Sequence, residues 1–165
     1  MIFDAVEVCG QVALTYFEAD LATLVTARSL MPVTGWKIIT WQDAEKAIEL
    51  GSAVPLLGIT LGPNASTQAK SQGKRESLSA VLFDAYLEGE DATVVAQIMA
   101  LVPEAVMMIA DRLAAGVGGG VFGAAVTELS TQVDVTGAYE ERGDQPLYWQ
   151  RARTVVPVWD QDTGL

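Results

Sequence analysis

Arginines and carboxylates, not histidines, carry whatever chemistry this chain has. Arg151 and Arg153 lie two apart beside Trp149, in the run Leu147-Tyr148-Trp149-Gln150-Arg151-Ala152-Arg153. Residues two apart on a strand share a face. Two guanidiniums on one face, next to an indole, suit ion pairs with a neighbouring subunit or stacking on the ring. A solvated strand face is the plain alternative. Lys70, Lys74 and Arg75 put three of the ten positive charges into one polar stretch. Acids cluster twice, as Glu88, Glu90 and Asp91 and as Glu140, Glu141 and Asp144. Paired carboxylates do acid–base work when a cleft holds them together, and both clusters fall where the pattern predicts turns. Neither has the alternating oxygens around a glycine that calcium requires.

The sequence contains no histidine. That removes the commonest general base and the commonest nitrogen ligand of zinc, and it excludes Ser-His-Asp and Cys-His triads. The single cysteine, Cys9, allows no intrachain disulfide and sits in an apolar helical pattern as a small core residue. Gly116-Val117-Gly118-Gly119-Gly120 follows a helical run and has no Gly-Lys-Ser/Thr, so it reads as a helix stop and not a phosphate loop. No catalytic, cofactor-binding or metal-ligating set emerges. The expectation is a protein that is not an enzyme and takes no cofactor.

Composition points the same way. The chain has 165 residues, enough for one domain with a real core. Half are hydrophobic and 19% are charged, against an average of about 25%. The surplus apolar surface has to be buried somewhere. The most apolar stretch, 92–110, contains Gln97, Pro103 and Glu104, which argues against the roughly 20 uninterrupted apolar residues of a membrane span. Met1-Ile2-Phe3-Asp4 carries an acid where a secretory signal carries Lys or Arg. Burial between subunits is the remaining outlet. The net charge of −11 disfavours specific nucleic-acid binding, which needs a basic patch, but suits a surface past which DNA slides without sticking.

The elements that must position these residues follow from periodicity. Residues 3–28 form a helix whose stripe includes Val6, Cys9, Ala13, Tyr16, Phe17, Leu21, Leu24 and Val25, with Asp4, Glu7, Glu18 and Asp20 largely off it. Residues 36–40 are a short extended piece. A short helix then opens at Thr40 or Trp41, with Thr40 and Asp43 at capping-box spacing, and stops at Gly51. Val54–Leu61 is a strand that starts at Pro55 or lies at an edge. Residues 62–77 are a long polar loop, either solvated or a docking arm. Residues 78–87 are a central strand, and Asp91 caps the helix of 92–115, which Pro103 kinks or splits. Strands at 124–135 and 147–159 make an antiparallel hairpin around a polar turn at 137–146, and 161–165 is a tail. The whole is one α+β domain, residues 1–160. Two long helices pack on a mostly antiparallel sheet of about four strands.

Residues 78–160 resemble tail-terminator (tail-completion) proteins of long-tailed bacteriophages. The likeness lies in the strand Ala80-Val81-Leu82-Phe83-Asp84-Ala85-Tyr86, the turn Gly89-Glu90-Asp91, an Ala-rich helix, a glycine-rich link, a strand, an acidic loop, and the Leu147-Tyr-x-x-Arg-x-Arg run leading into a Val-rich strand. It implies a virion structural protein that forms a ring, usually a hexamer, at the head-proximal end of the tail tube. Such a ring stops tube polymerisation and joins the tube to the neck. The implied partners are further copies of itself, the tail tube protein, neck and head-completion proteins, and genomic DNA in transit, with no membrane. The implied place is the virion tail, assembled in the host cytoplasm. The expected interface residues are Trp149, Arg151, Arg153, Lys70, Lys74 and Arg75, on the 147–159 strand edge and the 62–77 loop, with the 137–146 loop adding to the surface. Replacing both arginines by Glu is expected to block assembly and leave the monomer folded. A head–tail joining or neck protein is the related alternative. An oligomeric ligand-binding domain or enzyme, or a dimeric adaptor, is the alternative of another class.

Overall fold

The computed structural model describes the backbone of residues 2–51, 54–62, 66–69, 75–117, 122–124, 132–142 and 145–162, and the side chains of 5–48, 50–51, 54–62, 80–117 and 150–158. The order of elements is α1 (Ile2–Ala27), β1 (Lys37–Thr40), α2 (Ala44–Glu49), β2 (Leu56–Leu61), β3 (Ser66–Ala69), β4 (Arg75–Gly89), α3 (Ala92–Met99), α4 (Val102–Ala114), β5 (Phe122–Ala124), β6 (Gln132–Arg142) and β7 (Gln145–Asp162). The sheet runs β1-β2-β4-β7-β5. In addition β3 pairs the start of β4, and β6 pairs β7. Among the described residues β1 and β2 pair in parallel and the other strand pairings are antiparallel. The α+β reading therefore holds, with α1 and the α3–α4 pair packed on the sheet.

One face of the sheet makes the core. Val81, Phe83, Ala85 and Leu87 of β4 alternate inward, as do Ala152, Val156 and Val158 of β7 and Leu57 and Ile59 of β2. They meet the α1 stripe of Val6, Cys9, Ala13, Phe17, Leu21 and Val25, and Val102, Ala105, Val106, Ile109 and Leu113 of α4. Phe17 and Trp36 pack edge to face at 5.2 Å, and the Trp36 N–H donates to Glu18 Oε1 at 2.9 Å. That bond ties the end of the linker after α1 back onto the helix. Cys9 is fully buried, as its place on the stripe requires. Burial pushes its thiol up to about 12, so it stays protonated and inert at neutral pH.

Caps and breaks explain the helix limits. Asp91 accepts from the Thr93 and Val94 N–H groups. Pro103 falls in the first turn of α4, where its missing N–H costs nothing, and the expected long helix splits before it into α3 and α4. Taken as one run, Ala92–Ala114 is long and apolar enough to cross a membrane, with mean hydropathy 1.8. Here it is two shorter helices, and half of that apolar window is buried against the rest of the fold. Gly51 and Gly116 end α2 and α4 at φ +98° and +84°, where a Cβ would be strained.

Five expectations need correcting. Asp43 itself caps α2, accepting from the Lys46 N–H, so the helix starts later than Thr40. Asp20 is buried, because Arg112 of α4 reaches it and forms a bidentate pair. Residues 62–77 are not a long loop: β3 pairs β4 in register Ser66↔Leu78 to Ala69↔Arg75. Ladder hydrogen bonds come from the backbone, so a stretch without large apolar residues can still be a strand. The supposed acidic turn at 137–146 is strand through Arg142, which pairs with Gln145 past an irregularity between Asp134 and Ala138. The supposed tail begins inside β7, which pairs with β4 as far as Asp162↔Arg75.

Candidate interaction surface

The second face of the sheet is where the arginines lie. Alternation turns Asp84 and Tyr86 of β4 away from α1 and α4, and the β4–β7 register sets Asp84 opposite Arg153 and Tyr86 opposite Arg151. The contacts match that register. Arg153 donates from Nε to Asp84 Oδ1 at 2.7 Å and from Nη2 to Oδ2 at 3.0 Å. Arg151 Nη2 stands 3.6 Å from Asp84 Oδ1, and its Nη1 stands 3.8 Å from Glu45 Oε2 of α2. The Arg151 guanidinium also lies 5.8 Å from the centre of the Tyr86 ring.

This array sits against a small second core of Ala44, Ala47, Leu56 and Tyr86 under α2. Gly58 lets α2 come that close: a Cβ there would lie 2.8 Å from Ala44 Cβ. Asp84 is 7% exposed. A carboxylate so buried needs a cation, and Arg153 supplies it bidentately. The Asp84 hydrogen bond in turn raises the Arg153 pKa. Burial pushes the Tyr86 phenol up to about 12; the neighbouring Asp84, Glu45 and Asp43 add to the rise and Arg151 opposes it. The two arginines and two acids cancel in charge, and within the chain they clasp β4, β7 and α2 together. The solvated-face alternative does not hold, since Asp84 of the same chain takes up both arginines. Replacing both arginines by Glu would set four acids together and unfold this face, so that substitution cannot isolate assembly.

The other expected residues are placed by backbone alone. Arg75 opens β4, paired with Ala69 and with Asp162. Trp149 pairs with Glu88 and Ala138. Lys70 and Lys74 lie outside the described residues. The structure therefore brings Arg151 and Arg153 together and leaves Arg75 at the far end of the sheet from Trp149. Asp84 is the residue that sequence reasoning passed over. Its signal was present: a lone acid in the middle of an apolar central strand.

A second feature lies at the sheet margin. A shallow cleft between α1 and β1 is lined by Glu7, Gly10, Gln11, Leu14, Ile38 and Thr40. Leu14 stands 72% exposed at its rim. Trp41, at φ +63°, donates its indole N–H to Glu7 Oε1 at 3.1 Å, which fixes the exit of β1 against α1. The cleft is open, mostly apolar, and has no converging set of polar groups. Among the described residues no cluster of three or more His, Cys, Asp or Glu is placed to hold a metal. No protein-family model matches the chain, and no curated protein matches it in sequence.

Proposed function

We propose that this chain is a ring-forming virion protein of the tail-terminator kind, which ends the growth of a phage tail tube and joins it to the neck. The observation that supports this most is the arrangement of residues 78–160. They fold as a central strand, a helix pair and a returning strand, and the Leu147-Tyr-x-x-Arg-x-Arg segment lies along β4 through almost its whole length. These are elements on which the resemblance draws; the acidic loop it also draws on is strand through Arg142. The clasp at Asp84 fits the same reading, because its arginines hold the sheet together and offer no chemistry to a substrate.

The reading is tested by mass and by action on the tube. Light scattering after size exclusion, with negative-stain imaging, should give hexameric rings, alone or on the ends of tubes grown from the cognate tube protein. Tubes that lengthen at the same rate with and without the chain, and that carry no cap, would refute it. A ring that binds the portal side and ignores tubes would move the assignment to a neck protein.

A further inference from the structure

We infer that two of the sheet's open edges, the outer sides of β1 and β6, pair with each other between copies of this chain, antiparallel and head to tail. The inference rests on the ring reading above for closure, and on the ladder itself for the edges.

The first edge is set by hydrogen bonding. Lys37 N–H donates to Pro55 O at 3.0 Å, and Trp41 N–H donates to Ile59 O at 2.9 Å. The odd-numbered amides of β1 therefore face β2. On a strand, each residue's N–H and C=O point to the same side, and the side alternates along the chain. Ile38 and Thr40 thus direct their N–H and C=O groups outward, and among the described residues no strand pairs with that edge. The edge opens onto the cleft beside Leu14. An added strand there would find backbone partners and an apolar socket together, the usual form of β-strand addition. The second edge is β6, eleven residues long, whose only strand partner among the described residues is β7.

The occupant is a second copy because one chain carries both halves of the joint. An unpaired edge at each margin is a heterologous pair of surfaces, which generates a ring when the rotation closes. Strand directions agree. β1 and β2 run together, β4 opposes them, β7 opposes β4, and β6 opposes β7. So β6 runs opposite to β1. A rotation about an axis along the strands preserves direction and brings β6 against the neighbour's β1 in antiparallel fashion. Charge agrees too: β1 begins with the exposed Lys37, whereas β6 carries Asp134, Glu140 and Glu141 against the single Arg142.

The test is amide hydrogen exchange on the full chain, assembled and diluted to monomer, read beside a Thr40→Pro variant. Thr40 gives no N–H to β2, so proline there removes only an outward donor. Assembly should slow exchange at Ile38 and Thr40 and at alternate amides of 132–142 together. Thr40→Pro should lose ring mass while its unfolding midpoint stays near that of the parent. Protection of one edge alone would indicate a two-fold dimer, pairing β1 with β1 or β6 with β6, and would overturn the proposal. Protection that appears only with the tube protein would assign the edge to that partner and overturn it as well. Wild-type rings with both edges unprotected would overturn the edge joint and leave the ring reading standing. A chain that stays monomeric at every concentration and on tubes would sink both.

Discussion

Asp84→Ala is the perturbation that best tests the clasp. The parent carboxylate is 7% exposed and accepts two hydrogen bonds from Arg153, with Arg151 a further 3.6 Å away. Removing one partner of a buried ion pair costs about 3–5 kcal/mol, because the other charge is stranded. Here the stranded groups are arginines whose side chains are 35% and 20% exposed, so water recovers part of that loss. About 2–3 kcal/mol remains once that screening is allowed for. In a chain of this size, that lowers the melting temperature by about 4–12 °C. The assay is urea unfolding, where the midpoint should fall at unchanged slope. A double-mutant cycle with Arg153→Met should return a coupling of about 1 kcal/mol or more, because the methionine removes the bidentate partner and leaves only Arg151, already paired with Glu45, to be stranded. An Asp84→Ala variant within about 0.5 kcal/mol of the parent would show that the pair behaves as a surface salt bridge and that the clasp does not hold the strands.

Other outcomes follow from single residues. Cys9 and Tyr86 are both pushed up to about 12, from ordinary values of 9.0 and 10.0. The folded state keeps protons that the unfolded chain loses, so stability is full below pH 9 and falls from there towards pH 12. Unfolding midpoints across that range should show the loss, and Cys9→Ala should remove its lower-pH part. The native thiol should resist a disulfide reagent that reacts at once in denaturant. A Cβ at Gly10 would lie 2.5 Å from Thr40 Cγ2. Gly10→Ala should therefore gain little of the roughly 1 kcal/mol that alanine brings to a helix, and should gain it in full when Thr40→Ser removes that methyl. Asp91→Ala should cost about 1 kcal/mol through the lost cap of α3, seen as a lower unfolding midpoint.

The sequence made the core legible because burial and periodicity report the same thing. The α1 stripe, the alternation of β4 and the cap at Asp91 all follow from side-chain type and spacing. What it hid was pairing by backbone alone. Ser66, Thr67 and Gln68 give no apolar signal, yet their N–H and C=O groups complete a ladder with Ser77 and its neighbours. The acids of β6 mimic a turn for the same reason. Arg151 and Arg153 were visible as a pair, and their shared face was right. Their partner was not visible, since Asp84 lies 69 residues away from Arg153 and only the β4–β7 register brings them together. Asp20 and Arg112 were hidden in the same way, being joined by the packing of α4 on α1.

The placing of β7 also sets the order in which the molecule can form. This eighteen-residue strand is made after every element it pairs with, and it fills the place beside β4, the strand on which β2 and β3 also rely. Until it arrives, β4 has one long unpaired edge, and the core lacks Ala152, Val156 and Val158. Joining residue 75 to residue 162 is a closure across about half the chain, which is slow because its entropy must be lost before the contacts repay it. A nascent chain that has emerged through α4 can fold its helices and still present that edge to other chains. The half-made protein is therefore the form most exposed to wrong strand pairing, and completing β7 is the step that ends the exposure.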